Sequence, residues 1–184
     1  NTYLDLQGRI INYIFEGFDD NMHLANQTVN LSFFNPKAGT FYSISNNSSI
    51  YASFSMGNKE PNRDDYVESS PNSRPKHETL YDTELGWKYR SKNISLGANL
   101  YNMDYKNQLI KTGEINDVGA SVHSNIDKSY RRGLEVQSTV FLTDKISWSG
   151  NITLSKNKIV SHKEFTETWD WPVIYPVEGY KMEI

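Results

Sequence analysis

The sequence contains no cysteine, which removes disulfide staples and thiolate metal sites. It has no excess of basic residues: 19 Lys and Arg stand against 22 Asp and Glu, a net charge of −3. A surface built to neutralise nucleic-acid phosphates is therefore not expected, and Tyr130-Arg131-Arg132 is too short to make one. Long apolar runs are also missing, and the mean hydropathy is −0.65. A transmembrane helix needs ~20 consecutive apolar residues and is excluded. A transmembrane β-strand is not excluded, because it shows lipid only every second residue. No G-x-S-x-G nucleophile elbow occurs, no calcium-loop spacing, and no spacing that supports an acid-pair glycosidase. The sequence reads as a non-enzyme with no cofactor.

What is present is alternation. Tyr81, Leu85, Trp87 and Tyr89 alternate with Asp82, Glu84, Lys88 and Arg90, and after Ser91-Lys92-Asn93 the residues Ile94, Leu96, Ala98 and Leu100 alternate with Ser95, Gly97, Asn99 and Tyr101. Period two marks a strand with one apolar and one polar face, and a turn between two such runs makes a hairpin. The same pattern runs over Leu4 to Phe15, Val29 to Ile44, Ile50 to Met56, Leu134 to Leu142 and Ile146 to Leu154. Pro36 predicts a bulge or irregular entry, since proline cannot donate to a ladder.

Connections alternate in length. Short ones are predicted at 45–49, 91–93 and 143–145, and long ones near 16–28, 57–78, 106–128 and 157–184. In an up-and-down meander this gathers every short turn on one rim and every long connection on the other, as in outer-membrane barrels. Tyr42, Tyr51, Tyr89 and Trp148 near the short turns, with Tyr101, Tyr105 and Tyr130 near the long connections, fit two interfacial girdles. The charges Asp82, Glu84, Lys88, Arg90 and Glu135 are assigned to the wet face, paired across strands or lining a lumen wall.

Several phrases, in order, resemble the C-terminal barrel of TonB-dependent outer-membrane receptors: Phe33-Phe34-Asn35-Pro36-Lys37-Ala38-Gly39, Tyr51 through Asp65, Glu78 through Gly86, Leu100 through Leu109, and Ser129-Tyr130-Arg131-Arg132-Gly133-Leu134-Glu135. The resemblance covers nearly the whole chain. It implies an all-β fold, an antiparallel meander of about seven long strands cut from a transmembrane barrel of about 22 strands with a plugged lumen. Residues 1–184 are then a partial barrel domain, with both ends expected inside the barrel and the plug and coupling box outside the sequence. Implied function is TonB-energised uptake of a scarce nutrient: a ferric siderophore, haem, cobalamin or a glycan. Implied partners are outer-membrane lipid, the plug of the same protein, the TonB complex and the nutrient ligand, in the outer membrane of a Gram-negative cell.

Candidate ligand contacts lie in the long connections. Arg63, Asp64 and Asp65 form a charged cluster after Glu60-Pro61-Asn62, which can contact ligand or order its own loop through Arg–carboxylate pairs. His23, His77, His123 and His162 all fall in long connections but share no metal-ligand spacing; His123 is retained as a ligand contact, with no metal site. Trp169 and Trp171 place two indoles in the last connection, able to stack on a ligand or pack the loop on itself. Two other readings stay open. One is a secreted β-sandwich binding carbohydrate through Trp169 and Trp171, which requires two packed sheets with Greek-key crossovers. The other is a structural barrel with no ligand.

Overall fold

A computed structural model describes residues 1–18, 22, 26–67, 74–115, 121–160, 164–170 and 173–180; at 67, 112–115, 121–122, 164–170 and 173–180 it describes the backbone alone. The alternating segments form strands β1 (Thr2–Phe15), β2 (Gln27–Ser43), β3 (Ser48–Lys59), β4 (Glu78–Arg90), β5 (Ile94–Ile115), β6 (Ser121–Thr143) and β7 (Ile146–Ile159). They make one seven-stranded sheet in the order β1-β2-β3-β4-β5-β6-β7, every neighbour antiparallel. This is the meander expected from the sequence. The sandwich reading fails here, because each strand pairs with its sequence neighbour and no crossover occurs in the sheet. Each strand has at least 12 residues, more than the ~9–11 that a tilted strand needs to span a bilayer.

Register turns the period-two pattern into continuous rows. Leu85, Leu100, Leu134 and Leu154 lie side by side across four strands, and Trp87, Ala98, Val136 and Ile152 form the next row. All eight point to one face, on which Leu85 is 53% and Ile152 67% exposed. On the opposite face Tyr51, Gly86, Asn99, Glu135 and Thr153 form one row, and Ser49, Lys88, Gly97, Gln137 and Asn151 another. That face is concave and holds a groove lined by Tyr51, Lys88, Asn99, Glu135 and Asn151. An apolar sheet face this large and bare does not suit water; it suits lipid, with the polar face turned to a wet lumen.

Glycines on the concave face are filled from the next strand. Tyr3 is paired with Gly39, Tyr51 with Gly86 and Tyr101 with Gly133, and in each pair the tyrosine ring takes the space a glycine Cβ would need. This corrects the girdle assignment: Tyr51, Tyr101 and Tyr105 sit in inward-facing register positions. Among the described tyrosines and tryptophans, those facing outward are Tyr42, Trp87, Tyr89 and Trp148 toward the short turns, and Tyr81 and Tyr130 toward the other rim.

The short turns fall at 44–47, 91–93 and 144–145, as expected. Other expectations need correction. Pro36 causes no bulge: it pairs in register with Leu6. The effect of its missing N–H lies on the other side, where the β2–β3 ladder stops at Lys37–Ser55. Beyond it Asn58 bonds Asn35 Oδ1 through its backbone N–H (3.0 Å) and the Phe34 carbonyl through Nδ2 (3.2 Å), so side chains replace the ladder. The stretch 106–128 is mostly not a loop, because β5 and β6 continue as a paired ribbon to Ile115 and Ser121. The connection after β3 contains a one-turn helix, α1 (Arg63–Val67). The last segment holds a separate hairpin, β8 (Glu164–Asp170) and β9 (Val173–Tyr180), in place of the expected unstructured connection.

Candidate functional site

The concave wall carries charge without countercharge. Among the described residues, none of Asp82, Glu84, Lys88, Arg90 and Glu135 forms an ion pair, so the expected cross-strand pairing does not occur. Lys88 instead places its ammonium 5.3 Å from the Tyr51 ring centroid, and Tyr51 Oη donates to Asn99 Oδ1 at 3.1 Å.

The buried part of the molecule lies at the long-connection rim. Among the described residues, Val29, Phe33, Tyr66 and Ile126 are its buried apolar side chains. They gather because the connection between β3 and β4 folds back over β1 and β2. Tyr66 of α1 packs its ring 5.8 Å from that of Phe15, and the α1 backbone is held by Gln27 Nε2 donating to the Tyr66 carbonyl at 2.8 Å. Arg74 Nη2 donates to the Gln27 oxygen at 2.8 Å and clamps the far side of the same connection. Burial pushes the Tyr66 hydroxyl above the ordinary tyrosine value; nearby Tyr13, Glu60 and Asp65 push the same way and Arg74 opposes them.

Three ties anchor this connection to neighbouring strands. Glu60 accepts an ion pair from Arg9 of β1 and a hydrogen bond from Tyr13 Oη at 3.4 Å. The Arg9 guanidinium also lies 5.0 Å over Phe33, whose ring meets His77 edge-on at 5.2 Å. Asp65, with a side chain only 5% exposed, takes the Asn62 N–H at 2.8 Å on one oxygen and His123 Nδ1 at 3.0 Å on the other. Finally Asn125 of β6 accepts from the Lys76 N–H at 2.7 Å and donates to the Lys76 carbonyl at 2.9 Å. Between β2 and residues 74–77 these contacts leave a recess of about 350 Å³ lined by Val29, Leu31, Tyr66, Arg74, His77 and Asn107.

Two of the sequence candidates, Asp65 and His123, thus come together as a structural pair. Glu60 and Asp65 take their partners from outside this connection's charged cluster, Glu60 from Arg9 and Asp65 from His123. Arg63 and Asp64 are exposed on α1 and free to meet solvent-borne groups. Trp169 lies on β8, paired with Ile174; Trp171, His23 and His162 lie outside the described residues. Arg9, Tyr13, Tyr66 and Arg74 were missed because their partners stand about 40–50 residues away in sequence, a separation that no local pattern encodes. Among the described residues no group of three His, Asp or Glu is gathered as for a metal ion. The rim offers charged donors, acceptors and aromatics around an opening, which suits binding.

A family model described as TonB dependent receptor-like, beta-barrel, matches residues 8–173. No match was found among curated proteins. Among solved structures, the chain resembles the copper transporter OprC at 13% identity and a TM-score of 0.70, over 86% of this chain and 26% of that one. It resembles the siderophore receptor PirA from Pseudomonas aeruginosa at 24% identity and a TM-score of 0.59, over 68% of this chain and 25% of that one. It resembles the ferric-catecholate import receptor Fiu from E. coli K12 at 19% identity and a TM-score of 0.58, over 89% of this chain and 26% of that one. The chain thus corresponds to about a quarter of each of these proteins, and at such identities the likeness is one of fold.

Proposed function

We propose, from the premise that the chain belongs to the TonB-dependent receptor-like β-barrel family, that it forms part of the wall of an outer-membrane nutrient importer. The observation that carries this is the division of one meander into an apolar outer belt and a charged concave wall, with its folded connections on one rim. Unpaired Asp82, Glu84, Lys88 and Glu135 support a lumen that meets a plug of the same protein, since charges left without partners across strands are available to one in the lumen. Energy would reach that plug through the TonB complex, and the cargo would be a ferric siderophore, haem, cobalamin or a glycan. Arg63 and Asp64 of the rim, together with the indoles Trp169 and Trp171, are assigned to ligand contact, while Asp65 and His123 hold the rim in shape.

Uptake of labelled cargo from these four classes, measured in cells carrying the full-length receptor with and without TonB, tests this reading. Receptor-dependent uptake of one class is expected, lost without TonB. Replacing Arg63 and Asp64 by Ala is expected to raise the half-saturating concentration while leaving the maximal rate nearly unchanged. Uptake indifferent to TonB, or to the receptor for every class, would overturn the assignment.

A further inference from the structure

The outer face changes character one row beyond the leucines. Next to Leu100, Leu134 and Leu154 come Asn102, Arg132 and Lys156; then Asp104, Tyr130 and Lys158; then Lys106 beside Lys128. Apart from Lys158, these rows hold four cations and one carboxylate, in a chain whose net charge is −3. Two of the contacts are between like charges in direct register, Arg132 with Lys156 and Lys106 with Lys128. Such pairs destabilise a sheet. The single carboxylate is already engaged: Asp104 accepts from Asn102 at 2.7 Å and from Arg132 at 3.3 Å. Lys106, Lys128, Arg132 and Lys156 are all exposed. The Arg132 guanidinium also lies 4.4 Å over Tyr130, an aromatic residue that faces outward at the edge of the apolar belt.

We propose that this collar on β5, β6 and β7 binds the phosphate groups of anionic lipid headgroups in the leaflet on the long-connection side. The proposal rests on the reading of the sheet as a membrane wall. Position selects the occupant. The cations stand where the apolar belt ends, at headgroup depth, and face away from the lumen, so a soluble nutrient passing through the barrel does not meet them. Within each like-charged cross-strand pair the two residues stand roughly 5 Å apart, close enough for one phosphate to bridge Arg132 and Lys156. Arginine adds a planar fork suited to phosphate oxygens. The anion then offsets the repulsion that the sheet carries without it.

The test uses the full-length receptor inserted into zwitterionic phosphatidylcholine vesicles doped with phosphatidic acid, whose phosphomonoester headgroup is net anionic, with retained lipid counted by native mass spectrometry. Wild type is expected to retain the anionic phosphatidic acid over zwitterionic phosphatidylcholine. Each replacement among Lys128→Gln, Arg132→Gln and Lys156→Gln is expected to weaken retention about fivefold, the equivalent of ~1 kcal/mol per cation near a charged surface. Arg132→Lys is expected to restore most of it. Gel mobility of the folded barrel reports insertion separately. Failure of wild type to insert would overturn the membrane reading and this site with it. Insertion with equal retention by wild type and the triple variant would overturn the site alone, as would binding of inorganic phosphate with no preference for the lipid.

Discussion

At the scale of single residues, the concave wall depends on what glycine leaves open. Gly86 lies between Tyr51 and Asn99 in register, and the Tyr51 ring fills the space of the missing side chain. From there its hydroxyl reaches Asn99. A methyl group at position 86 must expel the ring, which breaks that hydrogen bond and moves the surface over which Lys88 is stacked. Gly86→Ala in the intact receptor is expected to cost about 1–3 kcal/mol, as overpacking does elsewhere, read as a lower midpoint in urea unfolding. Gly57 and Gly8, with nothing near their would-be Cβ positions, are the controls and should tolerate alanine.

At the scale of elements, strands were legible in the sequence and the rim was not. Alternation of Leu85, Trp87 and Leu100 with Glu84, Lys88 and Asn99 identifies both the strands and their faces, because a period of two leaves one face apolar. Polar composition hid the outer ends of β5 and β6: from Lys106 to Lys128 the segment is rich in Lys, Asn, Asp and Ser and reads as a connection, although backbone pairing continues. Above the belt a strand needs no apolar face, so period two vanishes while the hydrogen bonds remain. Helix α1 was hidden for another reason. A single turn is too short to show a periodicity, and its docking comes from Tyr66, Gln27 and Phe15, far apart in the chain. That docking carries a pH dependence. The folded connection raises the Tyr66 hydroxyl, chiefly by burial, so the neutral phenol is favoured when docked. Docking is therefore at full strength below the ordinary tyrosine value of about 10 and is lost as pH rises through the raised value of the docked state. Hydrogen exchange of residues 60–67 followed across alkaline pH should show protection falling in that window, and Tyr66→Phe should remove this component of the dependence.

At the scale of the whole molecule, the seven strands form an open sheet whose first and last members, β1 and β7, each have one neighbour. Each edge leaves alternate N–H and C=O groups of a 14-residue strand unpaired. In hydrocarbon every such group costs several kcal/mol, because no water is present to satisfy it. Water offers no better home, since it satisfies the edges but meets the rows of Leu85, Leu100, Leu134 and Leu154. Both defects have one remedy, which is more strands: paired at β1 and β7 they satisfy the edges and close the apolar belt into a surface that lipid can cover. Residues 1–184 alone are therefore expected to yield no discrete conductance steps in planar bilayers and to sediment as large assemblies in detergent-free buffer, edge joined to edge. A charge such as Lys at Ile10 or Ile152, both outward-facing on edge strands, should shrink those assemblies, whereas Lys at Ser147 or Thr153 on the concave side of β7 should change them less. Reproducible single-channel currents from the 184-residue chain would show that its edges close on one another, and would remove the argument that the wall requires further strands.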